Sequence, residues 1–143
     1  MAAAKHREPP ILTRAESEVM NVLWQSQGAT VHEVVAALPR ASAYTSVLTV
    51  LRILEKKGYA KHVPHPDGGR AHLYQPAVPA QNARRQHVRD LVDRLFGGQS
   101  SELVVGLLEN ERWSQSELEQ LRGLIDERLG APAAAKKGGG RER

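Results

Sequence analysis

The chain has 143 residues, a formal net charge of +4, 41% hydrophobic residues and no cysteine. Zero cysteine excludes disulfides and thiolate metal sites, and the mild basic excess favours an anionic partner such as nucleic acid. No apolar run approaches the roughly eighteen residues of a membrane span and no signal-peptide core is present, so a cytoplasmic chain is expected.

With one Phe, two Trp and three Tyr, the core must be aliphatic. Thr13-Arg14-Ala15-Glu16 spells a capping box, in which a hydroxyl and a carboxylate satisfy amides that a helix start leaves orphaned. Ala15, Val19, Val22 and Leu23 then recur at helical spacing, and the run ends at Gly28. Thr30-Val31-His32-Glu33 is a second capping box, opening a short helix through Val34, Val35 and Leu38 that Pro39 closes.

The next helical run ends at Gly58 and is two-faced. Val47, Val50, Leu51 and Leu54 fall within one arc of about 100°, while Thr45, Thr49, Arg52 and Lys56 lie opposite. Tyr44 and Ser46 stand at its start. Hydroxyls and Arg can read base edges in a major groove and Lys can meet phosphate, so this helix suits DNA. Two short extended runs come next, Tyr59 to Val63 and Ala71 to Gln75, around an Asp67-Gly68-Gly69 turn with Arg70 at the tip. Pro64 and Pro66 sit at the loop side of the first run, where a missing amide is tolerated. Helix, short helix, groove-reading helix and basic-tipped hairpin, in that order, predict a winged helix-turn-helix.

Pro76 and Pro79 mark a hinge. Beyond it, Val88, Leu91, Val92, Leu95 and Phe96 lie on one side of a helix, with Arg84, Arg85, Arg89, Asp90 and Asp93 on the other. Gly97-Gly98 breaks that helix, and a short one succeeds it with Leu103, Val104, Leu107 and Leu108. Ser114-Gln115-Ser116-Glu117 is a third capping box, opening a last helix with Leu118, Leu121, Leu124, Ile125 and Leu129. Three thin helices cannot bury that much apolar surface alone, so a second copy is the economical cover. The expected interface is Leu91, Leu95, Leu103, Leu107, Leu108, Leu118, Leu121 and Ile125. Charge divides accordingly: residues 43–76 carry five Lys/Arg against two acids, and residues 81–130 carry seven against nine.

The fold class is therefore mostly α with a small β wing. The expected domains are a flexible N-terminus over 1–10, a winged helix-turn-helix over 11–78, a helical dimerisation domain over 79–130 and a disordered basic tail over 131–143. The segments LTRAESEVMNVLW (Leu12 to Trp24), ATVHEVVAAL (Ala29 to Leu38), YTSVLTVLRILEKKG (Tyr44 to Gly58), GRAHLYQP (Gly69 to Pro76) and RLFGGQSSELVVGLLE (Arg94 to Glu109) occur in fixed order. Through them the chain resembles the BlaI/MecI/CopY family of bacterial repressors, also called the penicillinase repressor family. It departs from the family pattern at Leu48, where a basic residue is common, and at Ser42 or Ala43, where an aromatic one is.

The resemblance implies a homodimeric, sequence-specific repressor of double-stranded DNA with an inverted-repeat operator and a link to β-lactam resistance. No Ser/His/Asp motif, Gly-rich phosphate loop after a strand, or HExxH occurs, so no enzymatic activity and no cofactor are expected. The DNA-binding residues would be Tyr44, Thr45, Ser46, Thr49, Arg52, Lys56 and Arg70. The resemblance also implies relief by a membrane-bound sensor metalloprotease cutting in the dimerisation domain, here near Gly97, Gly98, Gln99, Ser100 and Ser101. The absence of cysteine tells against the copper-responsive branch, whose sensing uses a Cys-rich C-terminus. Two other readings stay open: a winged helix that binds protein, and a metal-responsive regulator using wing histidines His62, His65 and His72.

Overall fold

A computed structural model describes residues 9–130; the tail over 131–143 and all but Pro9 and Pro10 of the expected flexible N-terminus lie outside the described residues. Helix α1 (Arg14–Ser26) opens on its expected capping box, with Thr13 Oγ1 accepting from the Glu16 amide and Glu16 Oε1 accepting from the Thr13 amide. It buries Val19, Met20 and Leu23. The left-handed residue that ends it is Gln27 (φ 63°), one position before Gly28. Gly28 sits instead against the wing, where a Cβ would press on Leu73 Cδ2 at 3.2 Å.

Helix α2 (Val31–Ala37) carries the second capping box and buries Val31 and Val34. Just before it, Ala29 exchanges backbone hydrogen bonds of 2.9 and 2.8 Å with Tyr74, which ties the α1–α2 turn to the wing. Helix α3 (Tyr44–Lys57) ends at Gly58 in the left-handed region (φ 92°) and buries Val47, Leu51 and Leu54. The wing is an antiparallel pair, β1 (Ala60–Pro64) and β2 (His72–Pro76), in the register Ala60↔Pro76 to Pro64↔His72. Both strands lie one residue later than the sequence runs. Tyr59 is drawn into the core instead of starting the strand: it is fully buried and its hydroxyl donates to the Pro10 carbonyl at 2.6 Å.

Helix α4 (Ala80–Leu95) lies beyond the hinge and buries Ala83 and Val92. The Leu12 amide donates to His87 Nε2 at 2.9 Å, so His87 Nδ1–H donates to the Ala83 carbonyl at 2.7 Å. Gln86 donates to the Pro9 carbonyl. Pro9 and Pro10, expected within a flexible N-terminus, are thus anchored, because buried or half-buried donors on α4 and Tyr59 need acceptors. Trp24 Nε1 on α1 donates to the Val78 carbonyl at 2.8 Å and fixes the hinge.

Packing divides the described chain after Gly98, later than the hinge at Pro76 and Pro79, because α4 belongs to the first compact unit. The second unit holds α5 (Ser100–Asn110) and α6 (Gln115–Gly130). The third capping box is formed, with Ser114 Oγ accepting from the Glu117 amide at 3.0 Å. Neither α5 nor α6 buries a single residue. Leu107, Leu108, Leu118, Leu124, Ile125 and Leu129 are exposed, and Leu103 and Leu121 are half-buried. Among the described residues, no helix is long and apolar enough to cross a membrane.

Candidate nucleic-acid interface

The two faces of α3 separate as the helical wheel requires. Val47, Leu51 and Leu54 are buried against α1, α2 and the wing root, and Val50 packs partly on the same core. Tyr44, Thr45, Ser46, Thr49, Arg52 and Lys56 are all exposed. Leu48, which interrupts that face in sequence, is half-buried and packs on the core, so it does not break the polar surface. Ile53 is the large apolar side chain that α3 leaves exposed beyond Tyr44.

Charge on α3 is sorted by position. Lys57 Nζ makes a 2.6 Å ion pair with Glu16 on α1, so this lysine belongs to the scaffold. Burial by itself would raise the Glu16 carboxyl, but the Lys57 ammonium and the Thr13 amide outweigh it and hold the group below its ordinary value. Lys56 and Arg52 have no carboxylate within ion-pair distance among the described residues. Glu55, the one carboxylate of α3, turns to the wing and accepts from His62 Nδ1. Burial pushes the Tyr74 phenol up, as does Glu55, while Arg52 acts in the opposite sense, so the charge of Arg52 is felt at the wing root. The Thr49 hydroxyl donates to the Thr45 carbonyl at 2.9 Å, which leaves oxygen lone pairs and a methyl group for outside contacts.

The wing loop turns on Gly68 and Gly69, both at φ 85°, with the Gly68 amide donating to the His65 carbonyl at 2.9 Å. Arg70 comes directly after and is exposed. Two of the three wing histidines come together and the third does not join them. His62 and His72 stack at 4.5 Å between centroids, and His65 Nδ1 instead accepts from the Asp67 amide at 3.1 Å. Among the described residues, no three His, Cys, Asp or Glu side chains are placed to hold one metal ion.

Sequence reasoning missed His32, whose ring lies 4.6 Å from that of Tyr44 between centroids. Its place inside a capping box was legible; its reach to the next helix depends on how α2 and α3 cross, which no local pattern encodes. The proposed cleavage segment sits at the end of α4, where Phe96 and Gly98 amides both donate to the Val92 carbonyl and Gly97 and Gly98 take positive φ. Gly97, Gly98, Gln99, Ser100 and Ser101 are all exposed.

The family model described as penicillinase repressor matches residues 12–127. A penicillinase repressor from Bacillus licheniformis is 28% identical over 120 residues, covering 82% of this chain and 91% of that relative. The methicillin resistance regulatory protein MecI of Staphylococcus aureus (strain N315) is 22% identical over 119 residues, covering 82% and 94%. Among solved structures, a cysteine-to-serine mutant of MarR from E. coli aligns with TM-score 0.51 at 21% identity, covering 82% of this chain and 78% of that one. The same mutant complexed with operator DNA aligns with TM-score 0.50 at 20% identity, covering 82% and 76%. At such identities the likeness to MarR speaks for the fold alone.

Proposed function

The chain belongs to the penicillinase repressor family, and from that premise we propose that it is a homodimeric transcriptional repressor that binds an inverted-repeat operator. One observation carries the reading. Helix α3 is held from behind by Val47, Leu51 and Leu54 and turns an exposed face of hydroxyls, Arg52 and Lys56 outward, with its only carboxylate drawn aside by His62. In the major groove, Arg52 is the residue suited to a bidentate contact with guanine, while Tyr44, Thr45, Ser46 and Thr49 offer hydroxyls and a methyl to bases and sugar-phosphate. Lys56 meets phosphate, and Arg70 at the wing tip reaches the flanking backbone or minor groove.

The exposed leucines support the dimer. Covering a large apolar side chain stabilises by about 1.5–3 kcal/mol, and roughly half that when it begins half-covered. Four such side chains on α5 and α6, Leu107, Leu108, Leu118 and Ile125, therefore favour association by roughly 4 kcal/mol per protomer before ordering costs. We place the interface on Leu91, Leu95, Leu103, Leu107, Leu108, Leu118, Leu121 and Ile125. Two recognition helices related by a two-fold axis then require half-sites about one helical turn, or a multiple, apart. Relief is assigned to cleavage within Gly97–Ser101 by a membrane-bound sensor metalloprotease responding to a β-lactam.

A gel shift on DNA upstream of the chain's own coding region, with salt titrated, tests the reading. Specific, salt-sensitive binding with two-fold stoichiometry is expected. Equal affinity for that DNA and for random DNA at every salt concentration would overturn it.

A further inference from the structure

We propose that His32 is a positioning residue for DNA binding: its imidazole, packed against the Tyr44 ring, holds the first turn of α3 in its groove-reading geometry. The inference rests on the DNA-binding reading above. The two rings lie 4.6 Å apart between centroids with their planes tilted by 46°, within the range where aromatic pairs attract.

The contact matters because of what the helix start lacks. Helices α1 and α2 each open on a complete Thr–Glu capping box. Helix α3 opens on Ala43, which offers no side-chain acceptor, and its first turn holds no acid to meet the positive end of the helix dipole. Tyr44, Thr45 and Ser46 are all exposed, so the core does not hold them either. Left alone, such a turn frays, and fraying would carry off three of the residues assigned to DNA. A carboxylate cap would solve the fraying but place negative charge where phosphate must approach. A ring contact from the neighbouring helix solves it with no negative charge. His32 is well placed to do this, since it sits in the first turn of α2, which the Thr30–Glu33 box fixes. Order passes from a capped helix to an uncapped one.

The experiment is a double-mutant cycle on the full chain: wild type, His32→Ala, Tyr44→Ala and the double variant, with His32→Phe as the conservative replacement. Operator affinity is read by fluorescence anisotropy. Amide exchange is read on the free protein at Val47, whose amide donates to the Ala43 carbonyl at 3.1 Å in the first turn. His32→Ala is expected to weaken operator binding about three- to tenfold, and to speed exchange at Val47. The double variant should bind no worse than Tyr44→Ala, and His32→Phe should restore most of the affinity and the protection. Additive effects would overturn the proposal, as would unchanged exchange at Val47 in His32→Ala. A His32→Phe variant as defective as His32→Ala would do the same, because the imidazole nitrogen would then touch DNA itself. If the wild-type chain bound no operator, the DNA-binding reading would fail, while the exchange measurement would still decide whether His32 tethers α3.

Discussion

Lys56 and Lys57 are neighbours in sequence with different work to do, and replacing each in turn separates scaffold from interface. Lys57 Nζ lies 2.6 Å from Glu16 Oε1, and their side chains keep only 23% and 8% of their exposure. Glu16 also accepts the Thr13 amide in the α1 capping box. Lys57→Met keeps the aliphatic stem but leaves a nearly buried carboxylate short of a partner, which costs about 1–3 kcal/mol. The larger penalty of a fully buried pair does not apply, because water still reaches Lys57. For a unit of this size each kcal/mol moves the melting temperature by about 4–8 °C, so a fall of roughly 5–20 °C is expected. The effect has a pH signature. Glu16 is held below its ordinary value of 4.5, so the stability it contributes is present above that value and is lost as pH falls through the folded-state value. Wild type and Lys57→Met should therefore differ most near neutral pH and converge in acid below about pH 4.5. Lys56→Ala should leave unfolding unchanged. It should also lower the salt dependence of DNA binding by about 0.9 in log–log slope for each phosphate no longer neutralised, twice that for a dimer. Thermal unfolding followed by circular dichroism, with anisotropy on DNA at several salt concentrations, reads both. A Lys57→Met protein that melted like wild type and bound DNA like Lys56→Ala would refute the division.

Arg52→Ala should cost about 1–3 kcal/mol on the operator and relax sequence preference, while Arg70→Ala should weaken operator and random DNA nearly equally; competition binding separates them. Thr49→Ala should cost less than Arg52→Ala, since the Thr49 hydroxyl proton is already committed to the Thr45 carbonyl. Leu107→Asp and Leu121→Asp should give monomers that bind DNA far more weakly, and a stable wild-type monomer at micromolar concentration in sedimentation would count against the dimer. In cells exposed to a β-lactam, an immunoblot should show loss of the full-length chain as the target is derepressed; an undiminished band would remove proteolysis from the account.

The fold was legible wherever a local pattern carries its own geometry. The three Thr/Ser–Glu boxes at Thr13, Thr30 and Ser114 all form, because each closes within four residues. The faces of α3 were legible for the same reason, since a period of 3.6 fixes which side chains share a side. Structure that closes across distance did not show. Tyr59 reads as the start of a strand, but its hydroxyl finds the Pro10 carbonyl and the ring goes inward. Gly28 reads as a helix stop, yet Gln27 takes the left-handed turn and Gly28 makes room for Leu73. Lys57 and Lys56 look alike on paper; only the crossing of α1 and α3 assigns one to Glu16. His62 and Glu55 lie seven residues apart on different elements, so the removal of the α3 carboxylate from the polar face was equally invisible.

The division after Gly98 bears directly on how such a repressor could be switched off. The elements that position α3 lie before it: the α1 and α2 caps, the Glu16–Lys57 pair, the Ala29–Tyr74 bridge and the α4 anchor at His87. The exposed leucines of α5 and α6 lie after it. A cut within Gly97–Ser101 would therefore spare the reading head and remove most of the proposed linkage between two of them, leaving only Leu91 and Leu95 of that interface on α4. Linkage makes the second half-site an intramolecular event, and severing it lowers operator affinity by about 10²–10⁴ without altering a single DNA contact. A chain truncated after Gly98 should then melt cooperatively, bind one half-site with the Arg52 and Lys56 dependence of the intact protein, and fail to hold the full operator at concentrations where the dimer does. If that truncated chain were unfolded, the winged unit would depend on α5 and α6 for its stability, and cleavage would act by destroying the reading head instead of by uncoupling two intact ones.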